Sequence, residues 1–353
     1  NMWDKPFNYK DLFINYEVSN YFNIVNITIK YTLRPEDARL DSKDYKIKGL
    51  EIDQNVTEEL SEFIKKINKG LNQNKYPSDW QMFYLFKELF QYFSTNKQTS
   101  NRSKGETSNR YNYFRGQSHD FELRPGILRE NIKNEYRENF EKIYSDFSKK
   151  YPNELQYFEI SEKSVEREQQ LSLLQHYGLA TSLLDITANP FIGLLFMLTG
   201  DVEIEINERK TLAIPTFYFF EINMNDTPLL FSEVRRSDKN KRLSAQRGAF
   251  LNFDKLANQG EIKLINVIKL TMVFEEEASS SIHQLEDCEK LERKKECLKS
   301  IQKEMIEKLK EFYYFEEDLY PDFEKQIGYL INKYKVNEKK VKLNLNSFKS
   351  EEL

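Results

Sequence analysis

Gln175-His176-Tyr177-Gly178-Leu179-Ala180-Thr181-Ser182-Leu183-Leu184-Asp185-Ile186-Thr187-Ala188-Asn189-Pro190 is the stretch on which the fold turns. It reads as the end of one helix, a short strand and the start of another helix. Gly178 supplies the stop, because glycine readily adopts the left-handed conformation that closes a helix C-terminus. Ala180 to Ile186 is short and mostly apolar, as a buried strand is. Asn189 then offers an N-cap oxygen, and Pro190 is preset for the first helical position. The apolar helix Phe191 to Leu198 follows and stops at Gly200.

Polar groups inside such a run conflict with its burial, and local conflicts of this kind tend to mark sites. His176 falls in the last helical turn, where the helix dipole favours an imidazolium. Thr181 and Ser182 place hydroxyls on the strand, and Asp185 ends it. The junction from Asp185 to Pro190 is expected to leave backbone N–H groups free, a setting suited to an anion. Ordinary readings stand beside these: His176 as a core histidine, and Asp185 or Thr187 as a helix cap.

Upstream, Tyr111 to Arg115 reads as an aromatic strand broken by Gly116. Arg115 would be costly to bury unless an anion meets it. Its planar fork suits a phosphate or a carboxylate, whether from a ligand or from an internal partner such as Asp185. Gly116 lacks a Cβ, so a ligand could come close. Gln117, Ser118 and His119 add donors. Downstream, Arg242-Leu243-Ser244-Ala245-Gln246-Arg247-Gly248-Ala249-Phe250 sets two arginines and an amide around a glycine.

The rest of the chain supplies scaffold. Val18 to Leu33 alternates as a strand, and Glu58 to Ile67 has one apolar helical face. Ser78 can cap a helix from Asp79 to Tyr92, and Ser94 to Arg110 reads as a polar loop. Leu128, Ile132, Tyr136, Phe140, Tyr144 and Phe147 predict one long amphipathic helix, followed by a second that ends at Tyr177. Thr216 to Ile222 is a buried strand, Ile262 to Phe274 a strand or hairpin, and Leu285 to Phe312 a long helix. These elements predict an α+β fold with a mixed sheet flanked by helices. Residues 1–76 are expected to form a small N-terminal α+β unit, and 336–353 a lysine-rich tail.

With 353 residues the chain can bury a sizeable core, and 26 Phe with 21 Tyr exclude a disordered polymer. A net charge of -4 provides no global field for nucleic acid. Cys288 and Cys297 would lie roughly 13 Å apart along one helix, too far for a disulfide. Two reduced cysteines, no apolar run near ~20 residues and no basic-then-apolar leader fit a cytoplasmic protein without a membrane segment. The histidines at 119, 176 and 283 form no metal-binding spacing, so no metal is expected.

Together, Tyr113-Phe114-Arg115-Gly116-Gln117, the 175–190 stretch, Gln246-x-Gly248-x-Phe250 and Asp318-Leu319-Tyr320-Pro321-Asp322-Phe323 resemble the FRG domain family, named for its Phe-Arg-Gly motif. The resemblance spans about residues 77–335. Where the family usually has arginine this chain has Ser182, tryptophan is replaced by Ile186, and Gly193 stands for a common alanine. The family's layout is similar to that of ADP-ribosyltransferases, which implies an ADP-ribosyltransferase-like fold and NAD as substrate. On that plan Arg115, Gly116 and Gln117 would hold the NAD diphosphate or ribose, and Gly178, Thr181 and Ser182 would line the nicotinamide pocket. Gln246 would sit in the third-motif region, with His176 and Asp185 near the chemistry.

Gln246 is neutral where such enzymes carry glutamate, so Asp185 or Glu233 would have to supply the anion that stabilises an oxocarbenium. The resemblance implies a transferase or NAD glycohydrolase acting as a bacterial toxin or phage-defence effector. Its partners would be a protein or nucleic-acid acceptor and a trigger or neutralising protein. The alternative is a non-catalytic nucleotide- or partner-binding sensor module.

Overall fold

The structure, a computed structural model, describes residues 7–33, 45–53, 56–72, 82–94, 111–160, 164–224, 227–233, 247–258, 260–276 and 286–319. In chain order its elements are α1 (Tyr9–Ile14), β1 (Phe22–Leu33), β2 (Tyr45–Ile52), α2 (Glu58–Asn72), α3 (Met82–Ser94) and β3 (Tyr113–Gln117). Then come α4 (Asn134–Lys150), α5 (Ser164–His176), β4 (Leu183–Thr187), α6 (Pro190–Leu198) and the hairpin β5 (Glu203–Ile206) and β6 (Arg209–Leu212). The last are β7 (Thr216–Glu221), β8 (Phe231–Glu233), β9 (Gly248–Asn252), β10 (Ile265–Phe274) and α7 (Asp287–Glu311).

Eight strands form one sheet in the order β2-β1-β10-β7-β3-β4-β9-β8. β1 and β10 run parallel and the other neighbours antiparallel, so the sheet is mixed and the fold is α+β. One core fills the face covered by α2, α3, α6 and α7. It is dense in rings: Phe86, Phe90 and Phe93 of α3 meet Phe114, Phe217 and Phe219 of the sheet. A second core fills the other face beneath α1, α4 and α5.

β1 and β2, which come from residues 1–76, belong to the main sheet. Ile27, Ile29 and Tyr31 of β1 are fully buried, and β1 pairs with β10 from Phe22 to Tyr31. A strand whose alternate residues are this apolar needs a covered face, and the main sheet supplies it. Helix α1 is tied down by a buried charge cluster. Arg167 of α5 donates through Nε to Asp254 Oδ2 (2.7 Å) and through Nη2 to Glu141 Oε1 (2.5 Å). Tyr9 of α1 donates to Asp254 Oδ1 (2.6 Å), and Arg167 Nη2 donates to the Tyr9 oxygen (3.1 Å).

The long helix expected from Leu128 is shorter than its spacing predicts. α4 begins at Asn134, and Gly126–Leu128 is a single 3-10 turn behind Pro125. Leu128 is buried all the same, so its side chain mimicked a helical position from outside the helix. The expected strand or hairpin over 262–274 is the single strand β10. Both cysteines lie in α7 and form no disulfide, Cys288 exposed and Cys297 buried. Of the loop read from Ser94 to Arg110, Ser94 ends α3; its residues 95–110, Ser78, most of the Arg242–Phe250 patch and the C-terminal tail lie outside the described residues.

Candidate functional site

β3 pairs with β7 along its length, and β4 with β9 along its length, yet β3 and β4 meet at one position, Phe114 opposite Thr187. Beyond that bridge the two strands separate. A gap in a sheet leaves main-chain groups that need partners. Arg115 fills part of the gap: its Nη1 donates to the Asp185 main-chain carbonyl at 2.7 Å.

A cavity of about 470 Å³ opens there, lined from both strands and from the segments that follow them. It falls within the size range of small-molecule sites, ~300–1,000 Å³. Of the residues named from the sequence, Arg115, Gly116, His176, Gly178, Thr181 and Asp185 all line it.

Arg115 is held from two sides. Besides the Asp185 carbonyl, its Nε donates to Gln117 Oε1 at 3.2 Å. Gln117 is itself buried and fixed, since its Nε2 donates to the Phe121 carbonyl at 2.8 Å and its Oε1 faces Arg115. Gln117 therefore positions the arginine instead of lining the cavity. The internal pair that the sequence allowed, Arg115 with the Asp185 carboxylate, is not formed: the guanidinium meets the carbonyl. Burial pulls the Arg115 pKa below its usual value, the Asp185 charge opposes this, and Arg129 nearby adds to the lowering. The group stays charged, as arginine does in proteins.

The Asp185 carboxylate has a different partner. Gln175 Nε2 donates to Asp185 Oδ2 at 2.6 Å, and the Thr181 hydroxyl donates to Gln175 Oε1. Thr181 is fully buried and also accepts from the Leu183 N–H at 3.3 Å. The chain Thr181, Gln175, Asp185 thus fixes which way the carboxylate points. Sequence reading quoted Gln175 only as the first letter of a motif. Its position at the end of α5, facing β4 across the Gly178 turn, was the missed signal.

The glycines serve structure first. Gly178 has φ +93° and closes α5, with its N–H donating to the Gln175 carbonyl at 2.9 Å. At Gly116 a Cβ would lie 1.9 Å from the Gly193 carbonyl oxygen, so α6 occupies the space expected for a ligand. Ser182 lies in the interior, fully buried, and its Oγ has no hydrogen-bond partner among the described residues. It does not line the cavity. His176 stands at the C-terminal end of α5 and lines the cavity wall.

The helix start after Asp185 offers no spare donors to an anion. Asn189 Oδ1 accepts from the N–H groups of Phe191 (2.9 Å) and Ile192 (3.4 Å), so the α6 cap is its own side chain. Thr187 Oγ1 accepts from the Asn189 N–H at 3.1 Å. His119 sits away from the cavity, its Nδ1 accepting from the Ile214 N–H at 3.0 Å. Gln246 lies outside the described residues, and Glu233, at the end of β8, is not a cavity residue. Asp185 is the carboxylate that the cavity holds among the described residues.

Residues 110–204 match the family model of the FRG domain. Every cavity residue except Gly248 falls within that span. No curated protein and no solved structure gives a significant match to the chain. Among the described residues no helix is long and apolar enough to cross a membrane.

Proposed function

We propose that this FRG domain is an NAD-using enzyme, an ADP-ribosyltransferase or NAD glycohydrolase, whose active site is the cavity between β3 and β4. One observation carries the reading: Arg115 and the Asp185 carboxylate, fixed on opposite edges of a split sheet, face the same cavity. A glycosyl transfer from NAD breaks the bond between the ribose anomeric carbon and the nicotinamide nitrogen. Nicotinamide leaves with the electron pair, and water or an acceptor nucleophile attacks the oxocarbenium-like carbon and loses its proton. Positive charge builds on the ribose, so a fixed carboxylate stabilises the transition state more than the ground state. Asp185 is that carboxylate in this reading. Arg115 binds the diphosphate, Thr181 and Gln175 position Asp185, and His176 is a polar wall group near the reacting centre. On the same reading Gln246 belongs to the third-motif region.

The wider role follows the same reading. The enzyme acts as a bacterial toxin or phage-defence effector on a protein or nucleic-acid acceptor, under a trigger or neutralising protein. The test is nicotinamide release from NAD by the full chain beside Arg115→Ala, with circular dichroism on both. Release by the parent and its loss in the folded variant support the enzyme. NAD binding without release moves the site to the sensor reading, in which the same groups bind a nucleotide and do no chemistry.

A further inference from the structure

The segment Arg129 to Lys133, which the sequence assigned to a helix, is a loop, and it brings a second guanidinium to the cavity. Arg129 is exposed, and its side chain makes no hydrogen bond or ion pair with the described residues. Its main chain, by contrast, is fixed. The Arg129 N–H donates to the Gly126 carbonyl at 3.2 Å, and its own carbonyl accepts from the Ile132 N–H at 3.0 Å. That carbonyl also accepts from Arg137 Nη2 at 2.5 Å. Arg137 is 2% exposed and is held in turn, donating to the Ile127 carbonyl at 2.9 Å and to Asn134 Oδ1 at 2.7 Å. The Phe13 ring of α1 lies 3.6 Å from its guanidinium carbon. A buried arginine thus serves as the fastener of a loop whose own arginine is left unpaired.

The same cavity is lined by Arg115, whose Nε and Nη1 are engaged and whose Nη2 has no partner among the described residues. The ionisable groups lining the cavity are Arg115, Arg129, His176 and Asp185. Apart from the histidine, two positive charges and one negative line the cavity, and the negative one is tied to Gln175. Two cations at one cavity repel each other: burial is the main cause that lowers the Arg115 pKa, the Asp185 charge opposes it, and the Arg129 charge adds to the lowering. Such an arrangement is costly in the free protein and is relieved by an anion that spans both.

We infer that Arg129 is the second cation of an anion site, and that the cavity takes a ligand bearing a diphosphate bridged between Arg115 and Arg129. The assignment rests on the reading of this cavity as the NAD site, and it names Arg129 as the residue that selects a diphosphate over a single phosphate. A monophosphate engages one fork. Two linked phosphates engage both, and a fixed loop means little ordering is needed on binding.

Calorimetric titration of inorganic pyrophosphate and orthophosphate into the full chain, its Arg129→Gln variant and its Arg129→Lys variant tests this. The parent binds pyrophosphate at least tenfold more tightly than orthophosphate. Arg129→Gln loses at least tenfold on pyrophosphate with an unchanged melting curve, and Arg129→Lys keeps most of the affinity. Equal pyrophosphate affinity in Arg129→Gln, or a parent that does not prefer pyrophosphate, overturns the assignment. Nicotinamide release separates the two ideas. Release that Arg129→Gln leaves untouched sinks the role of Arg129 and keeps the NAD enzyme. Arg129-dependent pyrophosphate binding without release keeps the anion site and sinks the enzyme.

Discussion

A glutamine amide decides where the Asp185 carboxylate points. Gln175 spans Thr181 and Asp185 with one bond to each, so it acts through Asp185 and is a positioning residue. Gln175→Glu removes the donor and sets a second carboxylate against Asp185. Like charges that close repel, so the carboxylate is no longer held in its orientation. Asp185 stabilises the oxocarbenium only while it is held toward the reacting carbon. In Gln175→Glu kcat is therefore expected to fall at least tenfold, with KM for NAD little changed. An unchanged kcat would show that Gln175 is only structural. At this scale the sequence was informative about Arg115 and Asp185, because each interrupts an apolar strand. It was silent about Gln175 and Arg129. An amide at a helix end and an arginine in a charged stretch look like solvated surface until the fold faces them into a cavity.

Among the elements, α5 links the site to the scaffold. Its C-terminal end carries Gln175 and His176, and its first turn carries Arg167. That arginine joins α1 through Tyr9, α4 through Glu141 and the turn after β9 through Asp254. Replacing it strands two carboxylates, one of them buried, and breaking a buried pair typically costs ~3–5 kcal/mol. Arg167→Leu is expected to lower urea-unfolding stability by about that amount, and a loss under ~1 kcal/mol would mean that the cluster is not a structural lock. The helix and strand positions were legible wherever a cap or a period marked them, as with the Asn189-Pro190 start of α6 and the apolar run of β7. The start of α4 was not. Leu128 and Ile132 continue the four-residue spacing of Tyr136 and Phe140, but Pro125 and Gly126 turn the chain there, and tertiary packing alone buries Leu128.

Across the whole molecule one sheet runs from the N-terminal strands to the site. β1 and β2 extend it past β10, and β10 supports β7, which supports β3. The sequence could not show this. Pairing between β1 and β10 joins positions more than two hundred residues apart, and no local pattern records the partner of a strand. A fragment 77–335 would leave β10 as a bare edge and uncover the core beneath β1. It is expected to aggregate or to unfold without a cooperative transition, and a monodisperse fragment with a sharp melt would show that the N-terminal strands are dispensable. The molecule as a whole then presents a rigid sheet opened at one place, with a cation on one lip and a carboxylate on the other. Asp185→Asn tests what that opening is for, because asparagine keeps the shape and removes the charge. Measured by nicotinamide release from NAD, the account predicts turnover by the parent and at least a hundredfold loss of kcat in Asp185→Asn with NAD binding retained. Equal turnover by the two proteins, or NAD bound by the parent and never cleaved, would contradict it.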